Sequence, residues 1–104
     1  MKTAVVSLTL RGAELAFKIG TEMKADIYMK KQFTEKYALN EKNTLIHPVT
    51  DFSALLEKLF RNYEALVFVM ACGIVVRSIA PHIKDKASDP AVLVVDEKGQ
   101  HVIS

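Results

Sequence analysis

The sequence holds a single cysteine, Cys72, among 104 residues. An intrachain disulfide is therefore excluded, and nothing in cysteine usage points to an oxidising compartment. Long hydrophobic runs are lacking too. The longest apolar stretches, such as ALVFVMA at 65–71, fall far short of the roughly 20 residues needed to cross a bilayer. Met1-Lys2-Thr3 leads straight into a strand pattern, with no apolar h-region and cleavage site of a signal peptide. Charge of one sign is scarce: 14 Lys and Arg against 12 Asp and Glu leave +2, without the concentrated basic stripe of a nucleic-acid-binding surface. There is no GxGxxG and no GxxxxGK[ST], so neither dinucleotide nor Walker-type phosphate binding is supported. His47, His82 and His101 lack metal-ligand spacing, so no metal site is expected. No internal repeat or low-complexity segment is present. The expectation is a cytoplasmic protein with no nucleic acid and no membrane among its partners.

Half of the residues are hydrophobic, enough for one small domain with a core. Residues 4–9 form a β-rich run suited to burial on both faces. Ala13, Ala16, Phe17 and Gly20 share one stripe of a helix, and the small Ala13, Ala16 and Gly20 let it lie close on a sheet. A second strand follows at 25–29, giving a β–α–β unit. Residues 30–43, mixed in charge and without periodicity, read as a solvated loop; the alternative is a basic rim for an anion, led by Lys30 and Lys31. Residues 44–47 suit a very short strand before Pro48. Thr50 or Asp51 caps a helix whose apolar stripe is Phe52, Leu55, Leu56, Leu59, Phe60 and Tyr63.

The stretch 65–96 then reads as a buried strand, a turn at Cys72-Gly73, a short helix stopped near Pro81, a charged connector and a second buried strand at 91–95. Residues 97–100 turn Val102-Ile103 back beside that strand as a hairpin. The fold class is α/β: a three-layer domain with a mainly parallel sheet and a C-terminal β-hairpin. In such sheets ligands gather beyond the carboxyl ends of the strands, where Ser7 to Gly12, Cys72-Gly73 and Asp96 fall.

Gly73 reads either as a structural glycine or as part of an anion cradle at a helix start. Cys72 suits a buried small hydrophobe or a thiolate at the same helix mouth. His82 is a candidate base or ligand contact beside Pro81. Lys84, Asp85, Lys86 and Asp89 have a bland reading as solvated charge before the Asp89-Pro90 turn. Yet they lie between two buried strands, and Arg77 on the preceding helix adds a planar donor suited to carboxylates. Such cations beside carboxylates suit a polyanionic substrate, with a carboxylate as base.

Residues 73–104, GIVVRSIAPHIKDKASDPAVLVVDEKGQHVIS, resemble the signature region of the CbiG family of cobalamin (vitamin B12) biosynthesis, the cobalt-precorrin-5A hydrolases. VVSLTLRGAELAFKI at 5–19 is similar to the start of the same family, whereas 30–62 adds little. The family positions matched are Gly73, Arg77, Pro81, Lys86, Asp89, Pro90, Asp96 and Gly99. The resemblance implies a step in the anaerobic pathway: opening the δ-lactone of a cobalt-corrinoid, cobalt-precorrin-5A, with release of acetaldehyde to give cobalt-precorrin-5B. It implies no cofactor, since cobalt is carried by the substrate. The resemblance assigns no catalytic role to these positions; the clustering of opposite charges beside the strand ends makes Asp89 or Asp96 the candidate catalytic carboxylate and Gly73, Arg77, Lys84 and Lys86 the candidate contacts of the polyanionic substrate. The family pattern continues into a Leu-Leu-Ser-Gly-His-x-Gly-Gly-Ala-Asn segment and a second domain. The expectation is thus a single α/β domain over 1–104, the N-terminal part of a longer enzyme, partnered by its C-terminal domain or by other cobalamin-pathway enzymes. The alternative is a non-catalytic corrinoid-binding or interaction domain of that protein.

Overall fold

A computed structural model describes residues 1–38, 46–85, 87–97 and 102–103. Strand β1 (Thr3–Ser7) leads to helix α1 (Leu10–Met23), β2 (Asp26–Lys30), α2 (Lys31–Ala38), β3 (Ile46–Val49) and α3 (Phe52–Asn62). Then come β4 (Ala65–Val69), α4 (Cys72–Ile79), a 3₁₀ turn (Ala80–His82), β5 (Ala91–Val95) and β6 (Val102–Ile103). The sheet order is β3-β2-β1-β4-β5-β6. β6 alone runs antiparallel, against β5, as the hairpin pattern requires. The turn residues 98–100 lie outside the described residues.

The layers follow from the period-two alternation of the central strands. Val6, Tyr28, Leu66 and Phe68 face α3 and α4, packing with Leu56, Leu59, Val75 and Ile79. Val5, Ile27, Met29, Val67 and Val69 face the other side, against Ala13 and Ala16 of α1 and Tyr37 of α2. Both sheet faces are covered, which explains why β1 and β4 read as continuous apolar runs. Gly20 brings α1 close: a Cβ there would lie 2.3 Å from Cγ1 of Ile27. The helix ends on Lys24 in the left-handed region (φ 55°), whose N–H returns to the carbonyls of Gly20 and Thr21.

Three expectations need correction. The loop expected over 30–43 contains helix α2, because Phe33 and Tyr37, one turn apart, bury an apolar edge among charges. Tyr37 packs against Phe17 with ring centroids 4.8 Å apart and the rings tilted by 34°. Residues 39–43 of that segment lie outside the described residues. Cys72 and Gly73 are not a turn but the first residues of α4, after Ala71 as N-cap. The short strand expected before Pro48 includes it: β3 is an edge strand, where a missing N–H costs no ladder bond if it faces outward. As expected, α4 stops near Pro81: it ends at Ile79 and gives way to the 3₁₀ turn that contains the proline. Lys84 therefore leaves the helix and shares no helical stripe with Arg77. Among the described residues, no helix is long and apolar enough to cross a membrane.

Candidate active-site edge of the sheet

After β3 the chain crosses back over β2 and β1 to place β4 on the far side of β1. The carboxyl ends of β1 and β4 are thus the topological switch point, where connections leave in opposite directions and open a crevice. Two helices start there. Thr9 caps α1, its Oγ1 accepting the Gly12 N–H at 3.0 Å. Gly12 must lack a side chain, since a Cβ would come within 2.8 Å of the Val69 carbonyl oxygen at the end of β4. Beneath this turn Ser7 is fully buried, its hydroxyl without a hydrogen-bond partner among the described residues.

The start of α4 is electrostatically open. Its N-cap, Ala71, has no side chain to accept an N–H, and its first turn carries no acid. Instead Arg77 Nη1 stands 3.9 Å from where a Gly73 Cβ would be, so a guanidinium lies over the positive end of the helix dipole. Among the described residues Arg77 and Arg11 form no ion pair. A cleft of about 190 Å³ beside Ala71 is lined by Arg11, Asp96 and Glu97. A larger hollow of about 510 Å³ shares Arg11 and Glu97 and runs along Glu14, Leu15 and Lys18 of α1. Free amides, two guanidinium groups and a carboxylate beside a crevice can hold an anionic group while a carboxylate handles a proton.

Gly73, Arg77 and Asp96 therefore lie on one edge. Lys84 and Asp89 do not: their connector leads to the amino end of β5, about 13 Å of strand away from its carboxyl end. There they line a groove of about 620 Å³ with Phe60, Ile79, Ile83 and Val92. Asp89 Oδ2 accepts the backbone N–H of Lys84 at 2.7 Å and of Asp85 at 2.9 Å, so this carboxylate shapes its own loop. Lys86 lies outside the described residues. The expected single cluster is thus divided by the sheet, because a parallel β–α–β connection must return to the opposite edge. Arg11 and Glu97 were missed by sequence reasoning. The available signal was position: Arg11 follows the α1 cap by two residues, and Glu97 follows the end of β5 by two.

Strand order and site together define a mainly parallel α/β domain with an open crevice at its switch point. Residues 54–104 match the family described as "Cobalamin synthesis G N-terminal". The chain belongs to this CbiG family. It is 41% identical over 102 residues to a cobalt-precorrin-5A hydrolase of Priestia megaterium, covering 97% of this chain and 27% of that protein. Over 53 residues it is 55% identical to a cobalt-precorrin-5A hydrolase of Salmonella typhimurium, covering 51% of this chain and 15% of that protein. The fold matches the crystal structure of a cobalamin biosynthesis protein G homolog from Sulfolobus solfataricus. The TM-score is 0.60 at 21% identity, over 97% of this chain and 27% of the other. The chain thus spans about a quarter or less of the length of these proteins.

Proposed function

We propose that the chain acts in cobalamin biosynthesis as the N-terminal domain of a cobalt-precorrin-5A hydrolase, with its carboxyl sheet edge turned to the cobalt-corrinoid. The carrying observation is the meeting of Arg11, the uncapped start of α4 and Asp96 around one cleft. The substrate is a macrocycle bearing several carboxylate arms and a δ-lactone. Arg11, Arg77 and the first amides of α4 receive carboxylates; Asp96 takes a proton from the water whose oxygen bonds to the lactone carbonyl carbon. The carbonyl–oxygen bond to the ring position then breaks, and the alkoxide takes the proton back from Asp96. In a retro-aldol-like cleavage the hydroxyl so formed gives up its proton again and its oxygen becomes the carbonyl of acetaldehyde as the carbon–carbon bond to the macrocycle breaks. The electron pair of that bond passes into the conjugated ring, which takes up the proton. Cobalt enters with the substrate, and the reaction belongs to the cytoplasm, in keeping with a lone, unpaired cysteine.

Titrating the chain with the cobalt-corrinoid lactone, followed by visible absorption and by acetaldehyde release, tests this. The expected result is saturable binding, with release reduced about 100-fold or more by Asp96→Asn at retained binding. Unchanged release in Asp96→Asn removes the base role. Binding without release assigns the chain the non-catalytic, corrinoid-binding role. No binding overturns the site.

A further inference from the structure

The described glycines differ in why they are there. Gly12 and Gly20 are required by packing, since a Cβ would press on the Val69 carbonyl and on Ile27. Gly73 is not. It is exposed and adopts no positive φ, and a Cβ there would meet only the far end of Arg77 at ordinary contact distance. A glycine inside an exposed helical turn destabilises it relative to alanine, so folding does not account for this residue.

Its surroundings give a reason. At about 100° per residue, the outer face of α4 places Gly73 at the centre, Val76 and Ala80 to one side, Arg77 and Ile74 to the other. Ile74 is 42% exposed and Val76 57%, a level of apolar exposure unusual for a helix with a buried side of its own. No acidic residue occurs from 72 to 80. The face is therefore an apolar shelf with a gap at its middle and a guanidinium across the gap. A docking protein helix would need an acidic side chain set opposite that guanidinium within an otherwise apolar surface. A flat apolar ring with carboxylates on its rim satisfies both: the ring covers Val76, Ala80 and Ile74, and a carboxylate meets Arg77.

We infer that this outer face of α4 seats the macrocycle of the corrinoid, with Gly73 kept without a side chain so that the ring can approach the helix backbone. The inference rests on the proposed corrinoid function and adds the contact surface and the residue that sets its depth.

The test uses the chain with two probes: dicyanocobyrinic acid, which keeps its side-chain carboxylates, and cobinamide, in which they are amides. Gly73→Ala is expected to raise Tm by about 5 °C and to weaken the Kd for dicyanocobyrinic acid at least tenfold. Arg77→Gln is expected to weaken the same probe while changing cobinamide binding less than twofold. A raised Tm with unchanged Kd in Gly73→Ala overturns the inference and leaves the corrinoid reading standing. A lowered Tm overturns it by giving Gly73 a folding role. Absence of binding by the unmodified chain overturns the corrinoid reading itself. A concentration-dependent dimer abolished by Val76→Asp also overturns the inference, since the shelf would then be covered by a second copy.

Discussion

The hydroxyl of Tyr63 donates to the Asp26 carboxylate at 2.5 Å, which leaves its own oxygen to accept from Tyr28 at 2.9 Å. Tyr63 closes α3 and Asp26 opens β2, so the bond ties two segments 37 residues apart at the amino edge of the sheet. The surroundings hold it in place. Tyr63 meets Tyr28 edge to face at 6.1 Å, Tyr28 stacks on His47 at 4.7 Å, and the Lys2 ammonium lies 4.9 Å from the Tyr63 ring centroid. Tyr63→Phe removes the bond and strands the Tyr28 hydroxyl, 3% exposed as a residue, without its partner. The expected cost is about 1–3 kcal/mol, read from urea unfolding. Tyr28→Phe leaves the Tyr63–Asp26 bond intact and is expected to cost less than Tyr63→Phe. Equal costs for the two would mean that the short bond to the carboxylate contributes nothing.

The same cluster predicts an alkaline limit. Burial raises the pKa of Tyr63 well above its ordinary value of 10.0, and the hydrogen bond to Asp26 adds to the shift. The stability linked to this raised pKa is fully present below pH 10. Above it the unfolded chain releases the proton while the native chain keeps it, so stability falls by about 1.4 kcal/mol per pH unit from this group. Unfolding curves between pH 9 and 11.5 are expected to show a shallower decline in Tyr63→Phe than in the unmodified chain. Parallel declines would assign the alkaline loss to other groups.

Gly20 makes the opposite case to an exposed helix glycine. Alanine there gains helix propensity, about 1 kcal/mol, but its methyl falls 2.3 Å from Cγ1 and 2.6 Å from Cδ1 of Ile27. Overpacking of this kind costs about 1–3 kcal/mol, so Gly20→Ala is expected to destabilise. Ile27→Ala clears the space, and the two changes together are expected to cost less than the sum of the single changes. Simple additivity would show that α1 shifts instead of pressing on β2.

These contrasts explain what was legible in the sequence. Strand and helix positions followed from continuous apolar runs in β1, β4 and β5 and from the six-residue stripe of α3, because burial on two faces or one leaves that imprint. Asp51 as cap of α3 was readable too, and its Oδ1 accepts the Ala54 N–H at 3.1 Å. Helix α2 was not, since Phe33 and Tyr37 are too few to show a period among Lys, Gln and Glu. The candidate site residues were readable by type but not by place. Gly73, Arg77 and Asp96 share an edge only because β4 and β5 are parallel neighbours, a pairing across 26 residues that no local pattern encodes. The Tyr28–Tyr63–Asp26 network is equally non-local.

Placement also separates Asp89 from Asp96, which lie before and after β5. Asp89 is committed to its loop: its Oδ2 receives the Lys84 and Asp85 amides, while Asp85 in turn accepts from Ala87 through Oδ1 and from Asp89 through its carbonyl at 2.8 Å. These bonds set the bend that delivers Pro90 and Ala91 to the start of β5. Asp89→Ala is expected to cost about 1 kcal/mol of stability, because two donors then turn to water and the loop loses its brace. Asp89→Asn keeps one carbonyl acceptor and is expected to cost less. Corrinoid binding per folded molecule should change less than twofold in either, since β5 separates this loop from the carboxyl edge. A loss of binding in Asp89→Asn without a loss of stability would move the substrate to the groove beside Phe60 and Ile83, and Arg11 and Asp96 would then have no claim on it.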